Sequence, residues 1–367
     1  MYIHELKDWP LLSWNQAKLA DLLAEVRHLQ GRLLGRMDAL GFGLREEATL
    51  STLTQDVVKT SEIEGEKLDA GQVRSSIARR LGMDIGAAPQ IDRNVEGIVE
   101  VMLDATRKHA SPLTEERLFA WHSALFPTGR SGMQRITVGA WRTKASGPMQ
   151  VVSGAMGREW VHYEAPTYDR LKKEMPRFLK WFNASSETDP VIKSSIAHFW
   201  FVTIHPFEDG NGRIARAIAD MMLARSEKST QRFYSMSAQI QRERKEYYDV
   251  LENCQKGELD ITLWIEWFLN CLKHAMAASA ETLEVVLVKA HFWKTHAGES
   301  FNERQRTIIN RLLDGFEGKL TSSKWAKITK CSQDTALRDI SDLLNREILT
   351  KHEAGGRSSS YELRLPK

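Results

Sequence analysis

The residues best suited to chemistry lie in the segment 205–216, which reads HPFEDGNGRIAR. In this segment Gly210 and Gly212 flank Asn211, directly before a run of residues with helical spacing. Backbone N–H groups at such a helix start lack intrahelical acceptors and stand at the positive end of the helix dipole, so they bind anions well. The segment therefore predicts a turn that cradles a phosphate group.

Charged side chains around this turn supply further groups for nucleotide chemistry. Arg213 and Arg216 are three residues apart and share one helix face, where two guanidinium groups can hold neighbouring phosphates. Asp209 offers an oxygen ligand for Mg²⁺, which proteins usually hold with one or two carboxylates and the phosphates of a substrate. His205 can accept a proton from a hydroxyl near neutral pH. A plain helix start with a structural histidine is the alternative, but it does not require all of these groups.

Segment 205–216 resembles the signature HPFx[D/E]GNGRxxR of Fic-domain proteins, and every fixed position is present. The resemblance implies transfer of AMP from ATP to a Tyr, Thr or Ser hydroxyl of a target protein, or of the chain itself. Relatives in this family also transfer other phosphate-containing groups or remove AMP, and the sequence leaves the direction of the reaction open. The cofactors implied are ATP and magnesium.

The resemblance also assigns a role to each residue of the signature. His205 would be the general base that deprotonates the target hydroxyl, and Asp209 would hold magnesium. Asn211 and the backbone of Gly210–Gly212 would receive the α-phosphate. Arg213 and Arg216 would bind the β- and γ-phosphates of the departing pyrophosphate.

The stretch 136–162 is rich in glycine around an apolar pair of valines, which predicts a hairpin. In Fic proteins a hairpin flap at this place docks the target chain by strand addition and covers the nucleotide. The resemblance implies that Val151, Val152, Ser153 and Gly154 lie over ATP. An ordinary surface hairpin is the alternative, because period-two alternation is weak in this stretch.

Two adjacent tyrosines resemble the helix that lines the adenine pocket in the family. Tyr247 and Tyr248 are followed at helical spacing by Leu251. A plain core helix with packed tyrosines explains these residues equally well.

The segment 60–66, TSEIEGE, places carboxylates at the C-terminal end of a predicted helix, where the helix dipole disfavours negative charge. Glu64 therefore needs a cationic partner. The segment resembles the inhibitory motif [S/T]xxxE[G/N] of self-inhibited Fic proteins with an N-terminal inhibitory helix, here about residues 46–65. The resemblance implies that Glu64 pairs with Arg216 in place of the ATP γ-phosphate. A solvated acidic helix end with Glu62 and Glu66 is the alternative.

The periodicity of apolar residues predicts a mainly α fold, with helices over 15–40, 46–64, 73–81, 92–109, 114–125, 168–182, 192–204, 213–226, 245–257 and 262–288. We expect an N-terminal helical region over 1–110, a Fic helical core with its hairpin flap over 111–290, and a third domain over 300–367. In the third domain, helical patterns over 302–313, 322–330 and 332–346 precede two strand-like segments. This order predicts a winged helix-turn-helix.

The C-terminal tail provides an alternative function from a different class. Residues 319–367 contain ten Lys or Arg against six Asp or Glu, a net charge of +4. A DNA-binding regulator that senses nucleotide through the Fic core would bind DNA through residues 319–364. The helix 332–346 would then enter the major groove, with Lys351 and Arg357 at phosphates. Winged helices also bind proteins, so the tail does not decide between these partners.

The amino-acid composition excludes several other classes of protein. The 367 residues contain 51 Lys and Arg against 48 Asp and Glu, so the whole chain is not a polycation. Three distant cysteines, Cys254, Cys271 and Cys331, form no disulfide framework or zinc motif, and a reducing cytoplasm fits them best. No apolar run approaches the roughly 18 residues that span a bilayer, so we expect no membrane partner. Release of an inhibitory helix implies movement of the helix or a change in oligomeric state, such as a homodimer.

Overall fold

The computed structural model describes residues 1–40, 42–83, 91–154, 158, 160–313, 315–316, 318–352 and 359–365. The protein is mainly helical, as predicted, and it divides into two compact units. One unit comprises Met1–Gly41 and Ala48–Ser279, and the other comprises Phe42–Glu47 and Ala280–Lys367. Among the described residues, no helix is both long and apolar enough to cross a membrane.

Fourteen α-helices can be numbered along the described chain. They are α1 Gln16–Asp38, α2 Phe42–Ile63, α3 Ala70–Leu81, α4 Arg93–Arg107, α5 Glu115–Leu125, α6 Leu171–Asn183, α7 Pro190–Ile204, α8 Asn211–Glu227, α9 Met236–Arg242, α10 Arg244–Gln255, α11 Thr262–Thr295, α12 Glu303–Leu313, α13 Ser322–Thr329 and α14 Gln333–Asn345. The described strands are β1 Arg130–Ser131, β2 Gln134–Arg135, β3 Gln150–Ser153, β4 Trp160–Glu164, β5 Leu349–His352 and β6 Ser360–Leu363.

The core of the first unit is built around α7. Every residue of this helix from 191 to 204 is buried, including the polar residues Lys193, Ser194, Ser195, His198 and Thr203, so the helix has no solvent-facing side. Helix α7 packs against α6 and α8, and α4 packs against α5 and α8. The segment 205–216 connects α7 to α8, so the candidate site begins where the two most buried helices meet.

The flap stretch contains an antiparallel hairpin of β3 and β4. A second hairpin, β1 with β2, precedes it and was not predicted. Helix α9 was not predicted either, and α11 continues beyond the expected end at 288 to Thr295. Residues 155–157 and 159 of the predicted flap lie outside the described residues.

The second unit contains α12, α13 and α14, followed by the antiparallel hairpin of β5 and β6. A buried cluster that includes Phe292, Ile308, Trp325 and Ile340 holds these helices together. Leu320 forms an isolated bridge to Tyr361 of β6. The element order is the one that a winged helix-turn-helix requires, and that interpretation stays a prediction. Arg357, expected at the tip of the hairpin, lies outside the described residues.

Candidate active site

A cavity of about 620 Å³ lies beside the loop between α7 and α8. Most residues that the sequence singled out line it: Glu64, Val151, Val152, Ser153, His205, Asp209, Gly210, Asn211, Gly212, Tyr247 and Tyr248. Gly154 follows β3 as an exposed residue, whereas Arg213 and Arg216 are buried behind carboxylates of the 60–66 segment. The fold therefore gathers the predicted residues from α2, the flap, the 205–216 segment and α10.

His205 ends α7 in a left-handed backbone conformation, with φ of 51°. Arg142, itself buried, fixes this turn from outside the segment. Its Nε donates to the carbonyl of His205 at 2.8 Å, and its backbone N–H donates to the carbonyl of Pro206 at 2.9 Å. A non-glycine residue in this conformation needs such support, because the conformation is intrinsically unfavourable.

The ring of His205 is held in the form of a base. Nδ1 lies 3.1 Å from the carbonyl of Val202, which can only accept a hydrogen bond, so Nδ1 carries the proton. Nε2 is therefore the basic nitrogen of a side chain that lines the cavity. Burial lowers the pKa of His205 to about 4, and the ring is neutral at pH 7.

Gly210 is the N-cap of α8, with φ of 77°, and it supplies no side-chain cap. The N–H groups of the first helical turn, residues 211–213, therefore have no intrahelical acceptor. The side chain of Asn211 bonds both the N–H and the carbonyl of Phe207, at 3.0 and 2.9 Å. Asn211 thus braces the loop with its amide, and the backbone remains as the donor for an anion at this turn.

The carboxylate of Asp209 is held at the cavity wall. Its two oxygens accept hydrogen bonds from the hydroxyl of Ser131 and from the N–H of Gly210. Among the described residues, no cluster of three or more His, Cys, Asp or Glu could bind a metal alone. One oriented carboxylate beside an anion-binding turn nevertheless fits Mg²⁺, which takes its other ligands from substrate phosphates and water.

His122 supports the same loop from α5 and was not predicted. Its Nδ1 accepts the N–H of Gly139 at 3.2 Å, so Nε2 carries the proton and donates to the carbonyl of Asp209, also at 3.2 Å. Its ring stacks on Phe207 with centroids 4.1 Å apart. Burial lowers the pKa of His122 to about 4, which keeps the ring neutral in this role.

Helix α2 ends in a Schellman motif that directs the acidic segment toward α8. The N–H of Gly65 bonds the carbonyl of Glu62, and the N–H of Glu66 bonds the carbonyl of Ser61. Gly65 has the left-handed φ of 84° that this motif requires. Glu64 and Glu66 therefore flank the glycine at the point where the chain reverses.

Glu64 lies directly over the start of α8. Its Oε1 accepts a hydrogen bond from Nη2 of Arg216 at 2.6 Å. A Cβ added to Gly212 would lie 2.3 Å from the same oxygen. Arg216 also donates from Nε to the hydroxyl of Thr60 and from Nη2 to its carbonyl. The Glu64 carboxylate thus occupies the anion position of the turn and binds the second arginine of the signature.

Glu66 contacts the first arginine, a pair that sequence reasoning did not predict. Its Oε2 lies 3.0 Å from Nη1 of Arg213. Among the described residues, Nη1 of Arg216 and Nε of Arg213 are buried without a hydrogen-bond partner. An unpaired buried donor costs about 1–3 kcal/mol, so both guanidinium groups retain capacity for a further anion.

The tyrosines have different environments. Tyr247 is buried, and its hydroxyl lies 3.0 Å from Nε2 of His198. Tyr248 is half-buried under the guanidinium of Arg244, which also bonds the carbonyl of Ile63 at the end of α2. Tyr247 is thus a packed core residue at the cavity wall, while Tyr248 lies beside the α2 terminus.

Residues 112–223 match the family model described as Fic/DOC family, and residues 2–83 match one described as a domain of unknown function, DUF4172. The chain is 26% identical over 268 residues to the protein adenylyltransferase Fic of Culex quinquefasciatus, covering 68% of this chain and 48% of that protein. The Drosophila melanogaster protein of the same name is 32% identical over 104 residues, covering 28% of this chain and 20% of that protein. The chain thus spans about half or less of these relatives.

Solved structures share the fold. A Fic family protein from Desulfovibrio desulfuricans G20 has a TM-score of 0.54 at 22% identity, covering 97% of this chain and 98% of that chain. A Fic domain containing signaling protein from Bacteroides thetaiotaomicron has a TM-score of 0.52 at 17% identity, covering 71% of this chain and 97% of that chain.

Proposed function

Since residues 112–223 form a domain of the Fic/DOC family, we propose that the protein is an adenylyltransferase that moves AMP from ATP to a protein hydroxyl. One observation carries the proposal: the unprotonated Nε2 of His205 belongs to the same cavity as the N-terminal turn of α8, whose first N–H groups have no intrahelical acceptor. A base and an anion cradle at one cavity suit transfer of a phosphate-linked group to a hydroxyl.

In the proposed reaction, the acceptor hydroxyl of a Tyr, Thr or Ser gives its proton to His205. The oxygen attacks the α-phosphorus, and pyrophosphate leaves. The N–H groups of the 210–212 turn stabilise charge on the α-phosphate, and Arg213 and Arg216 bind the leaving phosphates. When bound, magnesium would neutralise phosphate charge, and Asp209 is the residue that would hold it. The target chain would lie along the flap, at the edge of the β3–β4 hairpin.

We further propose that the protein is autoinhibited by Glu64. The carboxylate occupies the anion position over Gly212 and binds Arg216, which the γ-phosphate would otherwise use. Like charge and the loss of the arginine both oppose a productive pose of ATP. Movement of α2, or a change in oligomeric state that moves it, would release the site.

The decisive experiment compares His205→Ala with His28→Ala, both in a Glu64→Gly background that removes the inhibitory carboxylate. His28 is exposed on α1 and serves as the control. With ATP labelled at the α-phosphate and a cell lysate as acceptor, His205→Ala should lose transfer by roughly 10²–10⁴-fold, the range of a general base. ATP binding by calorimetry should change little. Undiminished labelling by His205→Ala would exclude this base.

Autoinhibition is tested with four proteins: wild type, Glu64→Gly, Arg216→Ala and the double variant. A close, partly desolvated charge pair is worth a few kcal/mol, and each 1.4 kcal/mol is a factor of ten. Glu64→Gly should therefore raise transfer by about one to two orders of magnitude, and only while Arg216 is present. Equal transfer by wild type and Glu64→Gly would reduce Glu64 to an ordinary helix end.

Nucleic-acid binding by the C-terminal unit is a second candidate, favoured by a group of exposed lysines on and around α13. These are Lys319, Lys324, Lys327 and Lys330. Phosphate contacts make affinity fall steeply with salt. Binding of genomic DNA fragments should therefore weaken with salt and with Lys324→Glu/Lys327→Glu. Binding that is absent at low salt would leave a protein partner for this unit.

A further inference from the structure

A hydrogen-bonded chain of serine, histidine and glutamate lies at the cavity, outside the signature. The Oγ of Ser153 on β3 lies 2.6 Å from Nε2 of His162 on β4. On the other side of the ring, Nδ1 of His162 lies 2.6 Å from Oε2 of Glu252 on α10. All three residues line the cavity that contains His205 and the 210–212 turn.

The charge state of Glu252 determines the direction of the hydrogen bonds that join Ser153, His162 and Glu252. Partial burial raises the pKa of Glu252, but hydrogen bonds from Lys256 and His162 outweigh it, and the net pKa is lowered. An ionised carboxylate only accepts, so Nδ1 of His162 carries the ring proton. In the tautomer with its single proton on Nδ1, Nε2 is the nitrogen that accepts from the Ser153 hydroxyl. This is the arrangement by which an adjacent base, oriented by a carboxylate, activates a serine nucleophile.

The hairpin is irregular at the histidine. Val151 pairs with Tyr163, whereas the next residue, Val152, pairs with Val161, so His162 is the extra residue of a β-bulge. A bulge re-aims a side chain at the cost of regular pairing. Here it brings the ring between Ser153 and Glu252. Ser153 is exposed, so its hydroxyl is accessible to a reagent in the cavity.

We propose that Ser153 is an AMP acceptor within the chain, activated by His162 and Glu252. The proposal rests on the proposed adenylyltransferase function. The Oγ of Ser153 forms a bond to the α-phosphorus of ATP, and the bond from that phosphorus to the bridging oxygen of the β-phosphate breaks. Pyrophosphate leaves. The hydroxyl proton passes to Nε2 of His162, and Glu252 stabilises the imidazolium through the Nδ1 proton.

The product would carry AMP on the flap, at the wall of the cavity that ATP and a target chain must share. Modification of Ser153 would therefore compete with transfer to another protein. His205 remains the base for external acceptors, whereas His162 serves the internal one. The two acceptors can thus be separated by variants of different histidines.

The test uses full-length Glu64→Gly protein incubated with ATP and magnesium, followed by peptide mapping by mass spectrometry. We expect an AMP adduct on Ser153, formed at a rate independent of protein concentration. His162→Asn should slow this adduct at least tenfold, because a general base contributes roughly 10²–10⁴-fold. The matched control is His274→Asn. It breaks another histidine–glutamate contact, from Nδ1 of His274 to Glu243 at 2.7 Å, and should leave the adduct unchanged.

The outcomes separate this proposal from the function on which it rests. AMP on other residues or on added lysate proteins, with Ser153 unmodified, overturns the assignment of Ser153 and leaves the adenylyltransferase standing. Equal labelling of Ser153 in Glu64→Gly and its His162→Asn derivative overturns the role of the histidine. A rate that rises with protein concentration overturns transfer within the chain. AMP on no residue of any protein contradicts both proposals.

Discussion

At the residue scale, two carboxylates of one turn meet the two arginines of the signature. Arg216 and Arg213 are nearly inaccessible, with side-chain exposures of 1% and 9%, whereas Glu64 and Glu66 are exposed at 32% and 38%. Each pair thus combines a buried cation with a carboxylate that solvent partly screens. The contact of Glu64 also covers the helix start, so the two pairs are not equivalent.

We expect Glu66→Gln to activate transfer weakly. Ion pairs with an exposed partner are worth about 0.2–1 kcal/mol, so freeing Arg213 should raise transfer up to about fivefold. The effect should add to that of Glu64→Gly if the two pairs act on different phosphates. The measurement is the rate of AMP incorporation in the single and double variants. Lower activity in Glu66→Gln than in wild type would show that Glu66 supports the active form.

The chemical groups of the signature could be predicted from the sequence because its residues are neighbours in the chain. Asp209, the glycine turn and the two arginines follow one another within a single loop and helix start, so their types and spacing predict an anion site. The contacts of Arg142, His122 and Glu66 join positions far apart in the chain. Nothing in one sequence indicates such pairs. The two bonds of the Asn211 side chain to Phe207 likewise depend on the loop conformation, so sequence alone does not predict them.

At the scale of elements, the end of α2 is held by its own backbone and by two arginines. Besides the Schellman motif at Gly65, the carbonyls of Thr60 and Ile63 accept from Arg216 and Arg244. These carbonyls would otherwise lack partners at a helix C-terminus. The position of Glu64 therefore depends on the turn as well as on its own ion pair.

Gly65→Ala should accordingly loosen the turn that holds Glu64. An added Cβ meets no atom within 4 Å, so the cost comes only from the left-handed backbone, roughly 1–2 kcal/mol. We expect transfer to rise about five- to thirtyfold. The control is Gly31→Ala in α1, where the Cβ also meets no atom within 4 Å but the backbone is helical. Equal rates in both variants would show that the turn does not control Glu64.

Element prediction succeeded where a pattern was long and failed where tertiary contacts decide. Helix α9 spans only Met236–Arg242, and burial of its first residues against the core stabilises it more than its short periodicity indicates. Strands β1 and β2 are two residues each, too short for any alternation to appear. The bulge at His162 is likewise invisible in sequence, since it is defined by pairing across the hairpin.

At the scale of the whole molecule, the first unit contains buried neutral histidines that link its helices. His122 bonds residues of two loops, and His198 on α7 bonds Tyr247 on α10. Burial lowers the pKa of His122 to about 4. Burial, with the nearby charge of Arg216, lowers that of His198 to about 3. Both rings are therefore neutral at pH 7 in the folded unit.

These histidines predict loss of stability in mild acid. Their ordinary pKa is 6.5, so below this pH the unfolded chain binds protons that the folded chain does not. The free energy of unfolding should fall by roughly 1.4 kcal/mol per pH unit for each histidine as pH drops from 6.5 toward 4. Urea unfolding between pH 7.5 and 5 measures this slope. His198→Gln removes one titrating ring and should make the acid slope shallower by that amount, even if it lowers stability at pH 7.5. Parallel pH profiles for wild type and His198→Gln would mean that His198 takes up its proton without unfolding.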